Sequence, residues 1–103
     1  MKYYPRYVET ALRTALADTP VVCVLGPRQV GKTTLVQRLV PKRGYISFDD
    51  PNVLSAVKND PLGFVQGLPE EVILDEIQRV PELLLPIKLS VDKNRTPGRF
   101  ILT

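Results

Sequence analysis

Histidine is absent from this 103-residue chain and cysteine occurs once. Without imidazole, the side chain that most readily exchanges a proton near neutrality and the commonest metal ligand are both missing. A single cysteine excludes an internal disulfide and any zinc site built from several thiolates. Cys23 lies in an apolar run, so it is expected to be a small buried hydrophobe rather than a reactive thiol. Long apolar stretches are lacking too, and nothing approaches the roughly 20 residues that cross a bilayer. Met1-Lys2-Tyr3-Tyr4-Pro5 has no apolar core of the signal-peptide kind. The expectation is a soluble, cytoplasmic protein without a membrane partner. Nor is there a strong excess of charge: 14 Lys plus Arg against 11 Asp plus Glu give +3. The short basic groups at Lys42 and Arg43, and at Lys93, Arg95 and Arg99, read as solvated faces, so nucleic acid is not an expected partner.

With 44% hydrophobic and 24% charged residues, the composition is that of an ordinary globular domain. At this length there is room for one domain, residues 1–103. Val8, Ala11, Leu12, Ala15 and Leu16 recur at the spacing of a helical face. Asp18-Thr19-Pro20 breaks that pattern, and Val21-Val22-Cys23-Val24-Leu25 follows as a strand expected to be buried on both sides. After a glycine-bounded loop, helical spacing resumes at Leu35, Val36 and Leu39 and stops at Pro41. Tyr45-Ile46-Ser47-Phe48 reads as a second strand. Asp50-Pro51 and Asp60-Pro61 each combine a capping carboxylate with a proline suited to a first helical position; Gly67 closes the second of the two helices. Val72-Ile73-Leu74-Asp75 is the third strand. Pro81 opens a helix spanning residues 83–91, expected to bend or break at Pro86, and residues 99–103 begin a fourth strand. Strands alternating with helices predict an α/β fold with a parallel sheet of about four strands. The pattern halts within that fourth strand, with no helix behind it, so the sequence reads as an incomplete domain, the first part of a longer one.

Gly26-Pro27-Arg28-Gln29-Val30-Gly31-Lys32-Thr33 satisfies GxxxxGK[ST], between an expected strand and an expected helix. This is the Walker A form of a P-loop. The chemistry explains the residues: Gly26 and Gly31 let successive backbone N–H groups converge on phosphate oxygens, and the helix start adds its positive dipole end. Lys32 supplies a cation to the β- and γ-phosphates, and the Thr33 hydroxyl is suited to ligate Mg²⁺. Pro27, Arg28, Gln29, Val30 and Thr34 complete the expected nucleotide-binding set, with Thr34 an additional donor to the α-phosphate. About 40 residues further on, an apolar strand delivers Asp75 and Glu76 to its C-terminal end, the edge at which ligands bind in open parallel sheets. Asp75 would hold Mg²⁺ through its water shell and Glu76 would polarise the attacking water, a Walker B pair. The adjacent Glu favours ATP over GTP, and no Asn-Lys-x-Asp segment for reading guanine is present. Asp49 and Asp50 lie on the same edge, where helix capping is the expected role.

Three segments resemble one family, the AAA-type ATPases of bacteria and archaea whose core precedes a C-terminal domain of unknown function. They are Val24-Leu25-Gly26-Pro27-Arg28-Gln29-Val30-Gly31-Lys32-Thr33-Thr34, then Leu74-Asp75-Glu76-Ile77-Gln78-Arg79-Val80-Pro81-Glu82-Leu83, then Gly98-Arg99-Phe100-Ile101-Leu102-Thr103. In the family the last segment continues into Gly-Ser, and its polar residues sense the γ-phosphate. Gln78 resembles a family position near the active site. The resemblance implies MgATP binding and hydrolysis, with Lys32 and Glu76 catalytic. A different expectation is a truncated, non-catalytic nucleotide-binding or interaction module whose incomplete sheet pairs with itself or another protein.

Overall fold

The computed structural model describes residues 6–24 and 43–103. Helix α1, Arg6–Asp18, leads into strand β1, Val21–Cys23. Strand β2 is Gly44–Ser47, followed by helices α2, Pro51–Asn59, and α3, Pro61–Gln66. Strand β3, Val72–Asp75, passes through two 3₁₀ turns, Ile77–Arg79 and Pro81–Leu83, into helix α4, Leu84–Lys93. Strand β4 is Phe100–Leu102. The expected helix after the glycine-bounded loop lies outside the described residues.

All four strands are parallel, in the order β1-β4-β3-β2. β3 and β4 have neighbours on both sides, and every residue of both is buried, which is why each reads as an unbroken apolar run. Their side chains alternate between the two faces. Val72, Leu74, Phe100 and Leu102 join Phe48, Val57, Val65, Val80, Leu83 and Ile87 in one cluster under α2, α3 and α4. On the opposite face Val22, Ile73 and Ile101 meet Leu12 of α1, with Ala15, Leu16 and Val24 packed around them.

β1 does not follow the expectation of a strand buried on both sides. It is the end strand of the four, Val22 alone is buried, and Cys23 is exposed rather than the small buried hydrophobe its apolar neighbours suggest. The pleat turns Cys23 away from the α1 face that protects Val22, and at the end of the order the opposite cluster covers only Val21 in part.

The helix caps follow the sequence closely. The Asp50 carboxylate accepts from the Asn52 N–H at 2.8 Å, and Asp60 accepts from the Gly63 N–H at 3.1 Å, each followed by proline in the first helical turn. Gly67 closes α3 with φ −87°, without the left-handed turn for which glycine is often used. Pro86 does not interrupt α4. It is the third residue of that helix, within the first turn whose N–H groups have no intrahelical acceptor, so its missing N–H costs nothing there. The interruption falls earlier, at the 3₁₀ turn opened by Pro81.

The basic residues that read as solvated faces are partly structural. Arg99 donates to the Ser90 carbonyl and the Asn94 carbonyl, both at 3.0 Å, and lies 4.9 Å from the centre of the Phe100 ring. Arg43 buries its side chain to donate to the Gly98 carbonyl, tying the start of β2 to the start of β4. Burial pulls this guanidinium down from its ordinary pKa, and Glu71 works in the other direction.

Candidate functional site at the C-terminal edge of the sheet

The register brings polar side chains from three strands together. Ser47 stands opposite Asp75, and Tyr45 stands opposite Ile73. Side chains two residues apart share a face, so Tyr45, Ser47 and Asp75 all project on the side of Ile73. Thr103 follows β4, and its N–H donates to the Leu74 carbonyl at 2.9 Å, so it extends the ladder alongside Asp75. The result is a carboxylate flanked by hydroxyls from both neighbouring strands. The Tyr45 hydroxyl donates to Asp75 Oδ2 at 2.6 Å, and the Thr103 hydroxyl donates to Oδ1 in a short hydrogen bond.

Asp75 and Thr103 are 7% and 5% exposed, so this carboxyl group lies in a largely dry setting and needs its hydrogen-bond partners. Tyr45 is more open, but burial of its hydroxyl first, and the Asp75 carboxylate second, push the phenol up to about 12. It is therefore a donor, not an acceptor, toward Asp75 at any ordinary pH. An ionised carboxylate offers about four lone-pair sites. Each oxygen accepts from one of these hydroxyls. That donor set suits Mg²⁺, which prefers oxygen ligands and keeps several waters. Among the described residues there is no cluster of three acidic or thiol side chains that could hold a metal by itself. Any contribution from Thr33 comes from a residue outside the described set.

Glu76 follows immediately and has left-handed backbone angles, φ 62° and ψ 42°, the one positive-φ residue other than glycine among those described. For an L-residue this is a costly conformation. The surrounding ladder fixes it: the Ile77 N–H donates to the Thr103 carbonyl at 3.1 Å, and the Arg79 N–H donates to the Glu76 carbonyl at 3.1 Å. This reversal of direction breaks the strand alternation and begins the 3₁₀ turn. Glu76 is 7% exposed, and Gln78 Nε2 donates to Glu76 Oε1 at 2.5 Å. Asp49, at the end of β2, pairs with Arg79 at 2.8 Å, which ties the β2 end to the same turn.

Of the residues expected in the site, Asp75 and Glu76 meet at one edge, whereas Gly26, Pro27, Arg28, Gln29, Val30, Gly31, Lys32, Thr33 and Thr34 lie outside the described residues. The strand that precedes them is described: the Val24 N–H donates to the Leu102 carbonyl at 2.8 Å, so the chain is still in the ladder two residues before Gly26. β1 and β3 both neighbour β4, so at ordinary strand spacing their ends are about 10 Å apart. Sequence reasoning missed Tyr45 and gave Thr103 and Gln78 no defined role. The alternation in β2 could have put Tyr45 and Ser47 on one face, but which strand would lie beside them is invisible without the register.

This parallel sheet, with the fourth strand inserted between the first and the third and helices on its faces, is that of an α/β domain of the P-loop NTPase type. Comparison with known families assigns it further: residues 18–103 match the AAA domain, and the chain belongs to that family, whose members are nucleotide-binding, ATPase-type domains. It is 42% identical over 93 residues to an uncharacterized protein of Mycobacterium bovis and, to the same degree, to one of Mycobacterium tuberculosis. Each alignment covers 88% of this chain and 21% of the relative, so the chain spans about a fifth of the length of the curated proteins it matches. No solved structure matches significantly. Among the described residues no helix is long and apolar enough to cross a membrane.

Proposed function

We propose that the chain binds MgATP through residues 26–34 and hydrolyses it with the Asp75 and Glu76 pair. The observation that carries this reading is the buried acid pair at the C-terminal end of β3, on the edge toward which β1 runs and one strand away from it. Open parallel sheets bind ligands at that edge. The motif in residues 26–33 supplies the phosphate-binding chemistry that the pair lacks.

In this reading the backbone N–H groups of residues 26–34, Pro27 having none, and the Lys32 ammonium bind the phosphates. Thr33 and Asp75 would hold Mg²⁺, Thr33 by its hydroxyl and Asp75 through metal-bound water. When bound, the cation would supply positive charge against the phosphates. Glu76 orients a water against the γ-phosphorus and accepts its proton as the new O–P bond forms; the bond to the bridging oxygen breaks and its electron pair leaves with ADP. Gln78 orients Glu76 through the hydrogen bond to Oε1. General-base contributions are typically about 10²- to 10⁴-fold. Glu76→Gln, which keeps the shape and loses the base, is therefore expected to lower the hydrolysis rate at least about 100-fold while leaving ATP affinity within a few-fold. Phosphate release and calorimetric titration measure the two quantities, and equal rates for the two proteins would defeat the catalytic role of Glu76.

A further inference from the structure

We propose that the groove between α3 and α4 binds a medium-length aliphatic carboxylate, its alkyl chain lying against leucines and its carboxylate meeting Lys93 and Ser90. The groove shares no residue with the acid pair, and the proposal does not rest on the nucleotide reading.

Two helical stripes line it. α3 contributes Leu62 and Val65, three residues apart, and α4 contributes Pro86 followed by Leu89, Ser90 and Lys93 at three, four and seven residues' distance. Such spacing keeps each set on one side of its helix. Val65 and Pro86 are buried, whereas Leu62 and Leu89 remain 46% and 45% exposed, so the groove holds hydrocarbon that water still reaches. The space enclosed is about 330 Å³, at the small end of the range of about 300–1,000 Å³ for ligand pockets. From Pro86 to Lys93 the stripe runs about 10 Å, the length of an extended medium-length alkyl chain.

The charge at one end selects the head group. No acidic residue lines the groove, and its polar side chains on the last turns of α4 are Ser90, Lys93 and Asn94. Lys88 and Arg95 share Asp92, but Lys93 has no ion-pair partner among the described residues. Ser90 Oγ accepts from Arg99 Nη2 at 2.8 Å, so its own proton is available to an anion. A helix C-terminus ordinarily repels negative charge. Here Arg99 Nη1 donates to the Ser90 and Asn94 carbonyls at 3.0 Å each, which places a full positive charge against the carbonyls that would oppose a carboxylate. A carboxylate can accept charge-assisted bonds from Lys93 and Ser90 together. A neutral hydrocarbon would leave both donors unused, and a small inorganic anion would leave the leucines uncovered.

The probes are octanoate, decanoate and 1-octanol, titrated calorimetrically into the purified chain without nucleotide. Decanoate is expected to bind about tenfold more tightly than octanoate, since each methylene that enters the groove contributes about fourfold. Octanoate should bind about fivefold more tightly than 1-octanol, which has the chain without the charge. Lys93→Gln should remove that preference, and Leu89→Gln should weaken all three ligands at least about fivefold. Both side chains are exposed, so neither change is expected to unfold the chain; a thermal melt checks this, and Leu62→Gln replaces Leu89→Gln if the latter does not fold. No heat with decanoate at millimolar concentration, no dependence on chain length, or a carboxylate preference that survives Lys93→Gln would each overturn the proposal. Undiminished binding to Leu89→Gln would place the alkyl chain elsewhere and overturn it too. Sedimentation of the ligand-free chain supplies the last arm: a dimer that Leu89→Gln splits would mean that a second copy fills the groove, and the carboxylate site would fall.

Discussion

Glu76 concentrates, at a single residue, a cost in stability and the catalytic role proposed for it. Its backbone is left-handed and its carboxylate is buried, two features that each oppose folding. The hydrogen bonds around it, from Ile77 to Thr103 and from Arg79 to Glu76, fix the bend regardless of what side chain occupies it. Glycine adopts this conformation without steric penalty, whereas alanine carries the full Cβ penalty and, like glycine, has no carboxylate. Glu76→Gly is therefore expected to be more stable than Glu76→Ala by about 1 kcal/mol in urea denaturation, even after allowing for the greater freedom of glycine in the unfolded chain. An alanine variant as stable as the glycine one would show that the bend relaxes when the side chain is removed. At this scale the acid pair could be read from the apolar run that ends in Asp75-Glu76. The left-handed turn could not, because nothing in the residue types at 76 favours positive φ; it follows from where Thr103 and Leu74 place their backbone groups.

The elements owe their boundaries mostly to short-range chemistry. Asp60 ends α2 and begins α3: its N–H donates to the Ala56 carbonyl and its carboxylate accepts from the Gly63 N–H. Because α3 is only six residues long, it depends heavily on that cap and on the burial of Val65. Asp60→Ala should lower stability by about 1 kcal/mol, measured from the urea midpoint, while Asp60→Asn, which retains an acceptor, should lose much less. Equal losses would mean that the carboxylate charge, not its hydrogen bond, matters at this site. The entry to β4 has a different origin. Gly98 has φ +76°, and a Cβ there would meet the Leu16 carbonyl oxygen at 3.0 Å, so the turn into β4 requires both the conformation and the space of glycine. The first cap was legible because aspartate and proline act on their immediate neighbours. The role of Gly98 was not, since its restriction comes from a helix more than 80 residues earlier in the chain.

At the scale of the whole molecule, the sheet order decides which chemistry can meet. Placing β4 between β1 and β3 puts one strand between the end of β1 and the acid pair, and it sets Thr103 beside Asp75. A ligand that spans those two ends would bind the folded state only and raise its stability. MgATP at about 100 times its dissociation constant should stabilise the chain by about 2.7 kcal/mol. For a domain of this size that corresponds to a rise in melting temperature of about 10 °C or more. Lys32→Ala should abolish the shift in a thermal melt, and a shift of undiminished size in that variant would remove Lys32 from the binding site.

The alternation of apolar strands with helical patterns was sufficient to establish an α/β parallel sheet, and the motif in residues 26–33 together with Asp75-Glu76 was sufficient to suggest phosphate chemistry, because periodicity and spacing record what each segment does locally. The order of the strands, the exposed setting of Cys23 at the end of that order, and the hydroxyls of Tyr45 and Thr103 on either side of Asp75 were decided only by the tertiary structure. Those features depend on which strand lies beside which, and that is fixed by packing on the two faces of the sheet: α1 over Val22, Ile73 and Ile101, and α2 to α4 over Val72, Leu74, Phe100 and Leu102. No residue carries that information alone.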